Sequence, residues 1–329
     1  MSSPENASTT DAYIAKVRAG VRPSPAEALG FLRAFHAAHP GITAESFTRY
    51  RTAAGQTSYE LFADRIAQDL RGGERVARGV LDLACGDGVL CVSLRSKVGD
   101  ACPLVGVDTS AEDIALATAR FAGDSHARFL CEPAQRTSLE TASVDVVACH
   151  FALMLMNDAP AVVREIARVL APGGSFHALV PSRSSAARFA TPCAALIAEV
   201  LARDVPAFPD LGLGDPAFAT EAGIASLFRD HAELAELAEE ESSAAFGPVT
   251  FDCVPLRVDD TPERCLALVE GLYWFHMLTP ESRARLRGEG RRALDAARDM
   301  GGRVPGAFDL LLVRAERAAT ASRRTRLSK

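Results

Sequence analysis

The spacing of apolar residues changes along the chain, and each change marks an element. From Ala12 to about Ala38 they recur at helical spacing, broken by Pro23 and Pro25. This predicts two short helices, the second over 26–38 and ending before Pro40. Residues 1–10 are polar and predict disorder. Further helices are expected over 44–50 and 58–70, with a loop over 51–57. At Val80 a short apolar run begins, passes through a glycine-rich turn and resumes at helical spacing to Lys97. A second strand over 104–107 runs into Asp108. Ser110-Ala-Glu-Asp113 then reads as a capping box that opens the next helix. Residues 128–131 predict a third strand. The nearly continuous apolar run over 144–149 predicts a central parallel strand covered on both faces, with His150 at its tip. A helix introduced by Asp158 and Pro160 runs to Leu170, and Ala171-Pro-Gly-Gly174 turns into a fifth strand over 175–180.

Beyond Pro181 the pattern is less regular. Helical segments over 186–202 and 220–229 flank a proline- and glycine-rich stretch over 205–216, longer than an ordinary connection in an α/β unit. Residues 233–241 suit either a charged helix or an edge strand. Residues 249–258 alternate as a strand, 262–277 and 280–297 read as helices, and 306–314 form the last strand. Strands alternating with helices imply an α/β fold.

The glycine turn carries the first chemical signal. In Val80-Leu-Asp-Leu-Ala-Cys-Gly-Asp-Gly88, Gly86 and Gly88 lack a Cβ, so the backbone can take positive φ and let a ligand approach. Asp82 lies near the C-terminal end of its strand, where ligands bind in open α/β sheets. Asp108, at the tip of the second strand, is placed to accept hydrogen bonds from both hydroxyls of a ribose. Gly86-x-Gly88-x-x-Cys91 also mimics a dinucleotide fingerprint. However, its third position is a cysteine, and Asp82 and Asp87 place two negative charges where a pyrophosphate would need bare N–H groups.

Four elements in order resemble the class I (Rossmann-like) S-adenosylmethionine-dependent methyltransferases of the small-molecule type. They are the glycine turn, Asp108, Ser143-Val-Asp-Val-Val-Ala-Cys-His150 and Glu165-Ile-Ala-Arg-Val-Leu-Ala-Pro-Gly-Gly174, and together they cover about residues 58–181. The resemblance implies a doubly wound, mostly parallel seven-stranded Rossmann-like sheet with N-terminal helices and a helical cap inserted after the fifth strand. On that plan residues 1–57 form a lid segment, 58–181 the cofactor-binding core and 182–248 the cap. Residues 249–318 complete the core, and 319–329 form a flexible basic tail. The implied cofactor is S-adenosylmethionine, whose sulfonium and ammonium suit acidic neighbours. Asp82, Gly86, Gly88 and Asp108 would hold it, with Ala84, Cys85 and Thr109 adjacent. Tyr50 and Tyr59 either reach its methionine end or pack in the core. Relatives usually carry an Asp after the third strand for the adenine amino group. Counting back from Asp145 puts Pro133 there and Ala134 next. Pro133 offers neither a carboxylate nor an N–H, so Glu132 or Gln135 would have to serve in a shifted register.

His150 is the expected general base, facing the methyl-transfer centre; the alternatives are a bond into its loop or a contact with the cofactor. His276 is the second candidate. Tyr273, Trp274 and His276 would line a hydrophobic acceptor pocket, or else form a packed helix face. His177 reads as structural, and His36 and His39 as lid or surface residues.

Composition narrows the function. The 329-residue chain is 48% apolar with a net charge of −6, which gives no general attraction to nucleic-acid phosphates. Eight cysteines without a C-x-x-C pair or zinc spacing, no signal-peptide pattern and no long apolar run suggest a cytoplasmic protein without a metal. The expected function is therefore transfer of a methyl group to a small, fairly apolar metabolite at O, N or C, in secondary metabolism. The expected partner is that acceptor alone, with no nucleic acid or membrane, and the chain is expected to be a monomer or homodimer. The alternatives are an RNA or protein methyltransferase, or an S-adenosylmethionine-binding protein or cyclase without methyl transfer.

Overall fold

A computed structural model of the chain describes residues 4–71, 77–182, 188–237 and 246–319. Its strands are β1 (Arg51–Thr52), β2 (Val80–Leu83), β3 (Leu104–Asp108), β4 (Ala127–Cys131), β5 (Val144–His150), β6 (Leu170–Pro181), β7 (Thr250–Arg257) and β8 (Ala307–Glu316). The helices up to the sixth strand are α1 (Pro4–Arg18), α2 (Pro25–Ala38), α3 (Ile42–Phe47), α4 (Ser58–Arg71), α5 (Val89–Val98), α6 (Ala111–Arg120) and α7 (Ala159–Val169). After it come α8 (Ala194–Asp204), α9 (Glu221–Leu237), α10 (Pro262–Glu270), α11 (Tyr273–Met277), α12 (Pro280–Arg285) and α13 (Arg291–Ala296).

The sheet has eight strands in the order β1-β7-β8-β6-β5-β2-β3-β4, and it is mixed. Five strands, β6-β5-β2-β3-β4, run parallel, whereas β8 pairs antiparallel with both β6 and β7. This corrects the seven-stranded expectation. The added strand is β1, from the stretch read as a loop, which pairs Arg51 with Arg257 and Thr52 with Leu256. The N-terminus differs too, since α1 already begins at Pro4 where disorder was expected.

Alternate residues of the central strands enter two cores. Val146 and Ala148 of β5 face a layer holding α2, α4 and α5; Val147 and Cys149 face the layer built on α7 and α9. The described helices of the stretch 182–248 are divided between these layers. Helix α8 buries Val200 and Leu201 with Val17 and Phe31, while Phe228 of α9 stacks on Phe176 of β6 at 5.2 Å on the other face. A half-buried polar cluster fastens α4 to the sheet: Asp69 Oδ2 lies 2.9 Å from His177 Nε2 and accepts from Arg314 Nε at 2.9 Å. His177 is thus structural, as its place in a strand implied. The basic tail from residue 320 onward lies outside the described residues.

Strand β2 pairs with β3 on one side and β5 on the other. The chain order reverses across it, leaving a crevice at the C-terminal ends of β2 and β5, where ligands bind in such sheets. Close packing beside the crevice depends on Gly106: a Cβ there would sit 2.4 Å from Phe129 Cδ1 and 2.7 Å from Cys85 Sγ. Gly106→Ala is expected to cost about 1–3 kcal/mol through overpacking, read as a lower denaturation midpoint at unchanged slope.

Candidate active site

The crevice opens into a cleft of about 1220 Å³, including its mouth. Its floor is the turn after β2. Ala84 (φ 61°), Gly86 (φ 52°) and Gly88 (φ 82°) all take the left-handed conformation, and a Cβ on Gly86 would meet nothing within 4 Å. Asp108 fixes this turn: its Oδ2 accepts the Gly86 N–H at 2.9 Å and its Oδ1 the Ser110 N–H at 2.9 Å. Each oxygen keeps a lone pair for the cleft. Gly88 does not line the cleft. It opens α5, and its missing Cβ allows Ala117 to approach.

Asp82 is 1% exposed, and its Oδ1 has no hydrogen-bond partner. Its Oδ2 accepts only a thiol hydrogen bond, from Cys91 Sγ at 3.4 Å. Burial pushes this carboxyl up to about 7. The Cys91 hydrogen bond opposes that shift, and the charges of Asp108 and Asp87 reinforce it. A half-satisfied carboxylate at the cleft floor is costly unless a donor or cation from the cleft completes it.

His150 stands at the opposite wall. Its ring stacks on Tyr59 with centroids 4.0 Å apart and lies 3.1 Å, through Nε2, from the Ser58 hydroxyl. Burial holds its pKa down at about 3, so the ring is neutral at pH 7 and a weak proton acceptor. The next residue, Phe151, is held at φ 54°, a conformation rarely adopted by bulky side chains, and donates its N–H to Leu179 O at 2.8 Å.

The other expected residues divide. Ala84, Cys85, Thr109, Ala134, Tyr59 and Tyr273 line the cleft. Tyr50 is buried in the core and does not. Pro133 faces solvent outside the cleft, and Glu132 and Gln135 line it on either side. Neither Trp274 nor His276 lines it. His276 lies 3.0 Å, through Nε2, from Glu270 O and packs against Phe35 and His39, so the short helix α11 turns only Tyr273 inward.

Among the described residues, none of 182–248 lines the cleft. Its roof comes from Leu29, Leu32, Arg33 and His36 of α2 and from the turn at 41–44. Sequence reasoning missed these four side chains as a set, although their i, i+3, i+4, i+7 spacing marks one helix face. The described residues contain no cluster of three His, Cys, Asp or Glu able to hold a metal ion, and no helix among them is long and apolar enough to cross a membrane.

Comparison with known proteins bears on this geometry. The family model described as "Methyltransferase domain" matches residues 80–174, from the first residue of β2 into β6. Residues 80–174 are a methyltransferase domain. A demethylmenaquinone methyltransferase of Lactococcus lactis is 33% identical over 106 residues, 32% of this chain and 42% of that protein. An arsenite methyltransferase of Aquipseudomonas alcaligenes is 34% identical over 107 residues, 30% of this chain and 31% of that one. The chain thus spans less than half the length of either relative. Similar solved structures include the YcgJ protein of Bacillus subtilis (TM-score 0.46, 15% identity, 76% of this chain and 96% of that chain). Another is geranyl diphosphate C-methyltransferase of Streptomyces coelicolor (TM-score 0.44, 16% identity, 78% and 75%). The methyltransferase domain holds Asp82, the glycine turn, Asp108 and His150, whereas the roof and Tyr273 lie outside it.

The two buried titratable groups act on stability with opposite signs. His150 has a folded pKa of about 3 against 6.5 in the unfolded chain. Its contribution is intact above pH 6.5 and is lost as the pH falls toward 3. Asp82 has a folded pKa of about 7 against 3.8 unfolded. Its cost is present in full above pH 7 and fades as the pH falls toward 3.8. Asp82→Asn should therefore melt higher than the wild type at pH 8 and near it at pH 4. Equal shifts at both pH values would contradict a raised Asp82 pKa.

Proposed function

We propose that the chain is a methyltransferase that binds S-adenosylmethionine across the β2 turn and methylates a small, fairly apolar acceptor held under α2. The observation that carries this reading is the buried, unpartnered Oδ1 of Asp82 beside a turn fixed by Asp108. That donor set fits the cofactor. The Asp108 carboxylate can take both ribose hydroxyls, the acidic floor favours an ammonium and a sulfonium, and Gly86 leaves room for close approach. Five carboxylates (Asp82, Asp87, Asp108, Asp113 and Glu132) line the cleft against one guanidinium, Arg33. Such a field repels a pyrophosphate and disfavours nicotinamide dinucleotides. Glu132, Ala134 and Gln135 stand where adenine would lie.

When bound, S-adenosylmethionine supplies a methyl group already activated by its sulfonium, so the chain's task is chiefly proximity and orientation. Tyr59, His150 and Phe151 build a rigid, dry wall, with His150 kept neutral and its Nε2 engaged by Ser58. In this reading His150 orients and excludes water, and the general-base role has little support. A phenol or an amine, which needs positioning more than deprotonation, suits such a wall. Leu29, Leu32, Ile42 and Leu155 give the acceptor an apolar enclosure, and the same carboxylates argue against polyanionic acceptors, RNA included.

Isothermal titration with S-adenosylhomocysteine should give a saturable heat and titration with NAD none. Asp108→Asn should weaken S-adenosylhomocysteine at least about tenfold, since hydrogen bonds to a charged acceptor contribute about 1.5–3 kcal/mol each. Tight NAD binding with no heat from S-adenosylmethionine or S-adenosylhomocysteine would sink the proposal.

A further inference from the structure

We infer that Asp113, His36 and Tyr273 form a latch that holds the roof over the nucleoside seat and sets the rate of cofactor exchange. The inference rests on the S-adenosylmethionine reading above and assigns a further role to three residues of the cleft lining that stand away from Asp82 and Asp108.

The argument begins with the start of α6. Ser110 Oγ accepts the Asp113 N–H at 3.2 Å, as a helix cap should. In a capping box the acidic side chain would bond back to the Ser110 N–H. That N–H is already donated to Asp108. The Asp113 carboxylate, only 3% exposed, therefore turns to the roof. Its Oδ1 accepts the Gly41 N–H at 3.0 Å, and its Oδ2 lies 3.8 Å from His36 Nδ1. On the far side of the same ring, His36 Nε2 lies 2.9 Å from the Tyr273 hydroxyl. A carboxylate facing Nδ1 favours the tautomer protonated there, which leaves Nε2 to accept the tyrosine O–H. The C-terminal end of α2 is thus clamped between the methyltransferase domain and α11.

The clamp lies over the seat. Gly41, at φ 72°, is in the turn after α2, and a Cβ on it would stand 3.4 Å from Asp87 Oδ2, so the tip of the roof overhangs the glycine turn. Asp113 itself stands in the first turn of α6, just beyond the strand that ends at Asp108. His36 and Gly41 line the same cleft as Asp108, so in this proposal a ligand seated on Asp108 passes them on entering and leaving. Other contacts hold α2 in place: Asn157 Nδ2 donates to Pro25 O at 3.3 Å at its opposite end, Tyr13 stacks on Phe31 at 4.4 Å, and Phe35 and His39 pack against His276 of α11. Loosening the latch therefore releases the contacts of Gly41 and His36 with Asp113 while α2 stays packed.

A gate slows entry and exit alike, whereas an ordinary ligand contact changes exit alone. Tyr273→Phe removes only the hydroxyl, and Asp113→Asn keeps an oxygen for Gly41 but removes the charge. Association and dissociation of S-adenosylhomocysteine can be followed on the full-length immobilised protein by surface plasmon resonance. Both rate constants should rise together, by about tenfold in each variant, while Kd moves less than about threefold. Unchanged rates, or a faster dissociation at constant association, would overturn the latch. Wild-type protein that binds no S-adenosylhomocysteine would remove the functional reading and the latch with it. Wild-type binding with unaltered variant kinetics would remove the latch alone.

Discussion

The Asp108 carboxylate is shared between the turn after β2 and the start of α6, and the cleft depends on that sharing. One oxygen holds the Gly86 N–H and the other the Ser110 N–H, so two neighbouring strand ends are locked at a fixed separation. The turn it holds carries three left-handed residues, one of them the alanine at 84. Without an external acceptor such a run would relax toward ordinary backbone conformations. Because Asp108 takes the Ser110 N–H, the next acid, Asp113, is released from its local duty and faces the roof.

Strain and neutrality also meet on the wall opposite. Phe151 keeps its left-handed backbone because its ring is wedged between Phe47 at 4.3 Å and His150 at 4.4 Å. Helix α4, which brings Ser58 and Tyr59 to His150, is anchored at its other end by Asp69 on His177 and Arg314. An ion pair in such a place contributes little net stability, but it fixes the helix along its axis. The stacking of Tyr59 on His150 needs that alignment.

Much of this was legible in the sequence where the signal was local. The change from an apolar run to glycines and back to helical spacing marked the turn, and the acid ending the next strand marked Asp108. The chemistry of Pro133 was enough to turn attention to Glu132 and Gln135, which line the cleft where Pro133 does not. What escaped reading depends on contacts remote in sequence. Strand β1 is two residues long and exists only because β7, some two hundred residues later, pairs with it. Residues 182–248 offered helical periodicity but no sign of which face of the sheet they would cover, and their described helices, α8 and α9, pack in the two layers and do not line the cleft. On α2 the core pattern of Ala28, Phe31 and Phe35 hid a second face one residue out of step. In Tyr273-Trp-Phe-His-Met277 the first four side chains look equally suited to a pocket, and only the docking of α11 selects the tyrosine.

The roof is built outside the methyltransferase domain, from residues 29–44 and from Tyr273, while the nucleoside seat lies inside it. The two surfaces meet at few side chains, so they answer to separate selective demands. Residues on the inner face of α2 can drift in size and polarity without disturbing Asp82 or Asp108. On the reading proposed above, a change on that face of α2 reshapes the acceptor enclosure while the carboxylates of the floor stay in place.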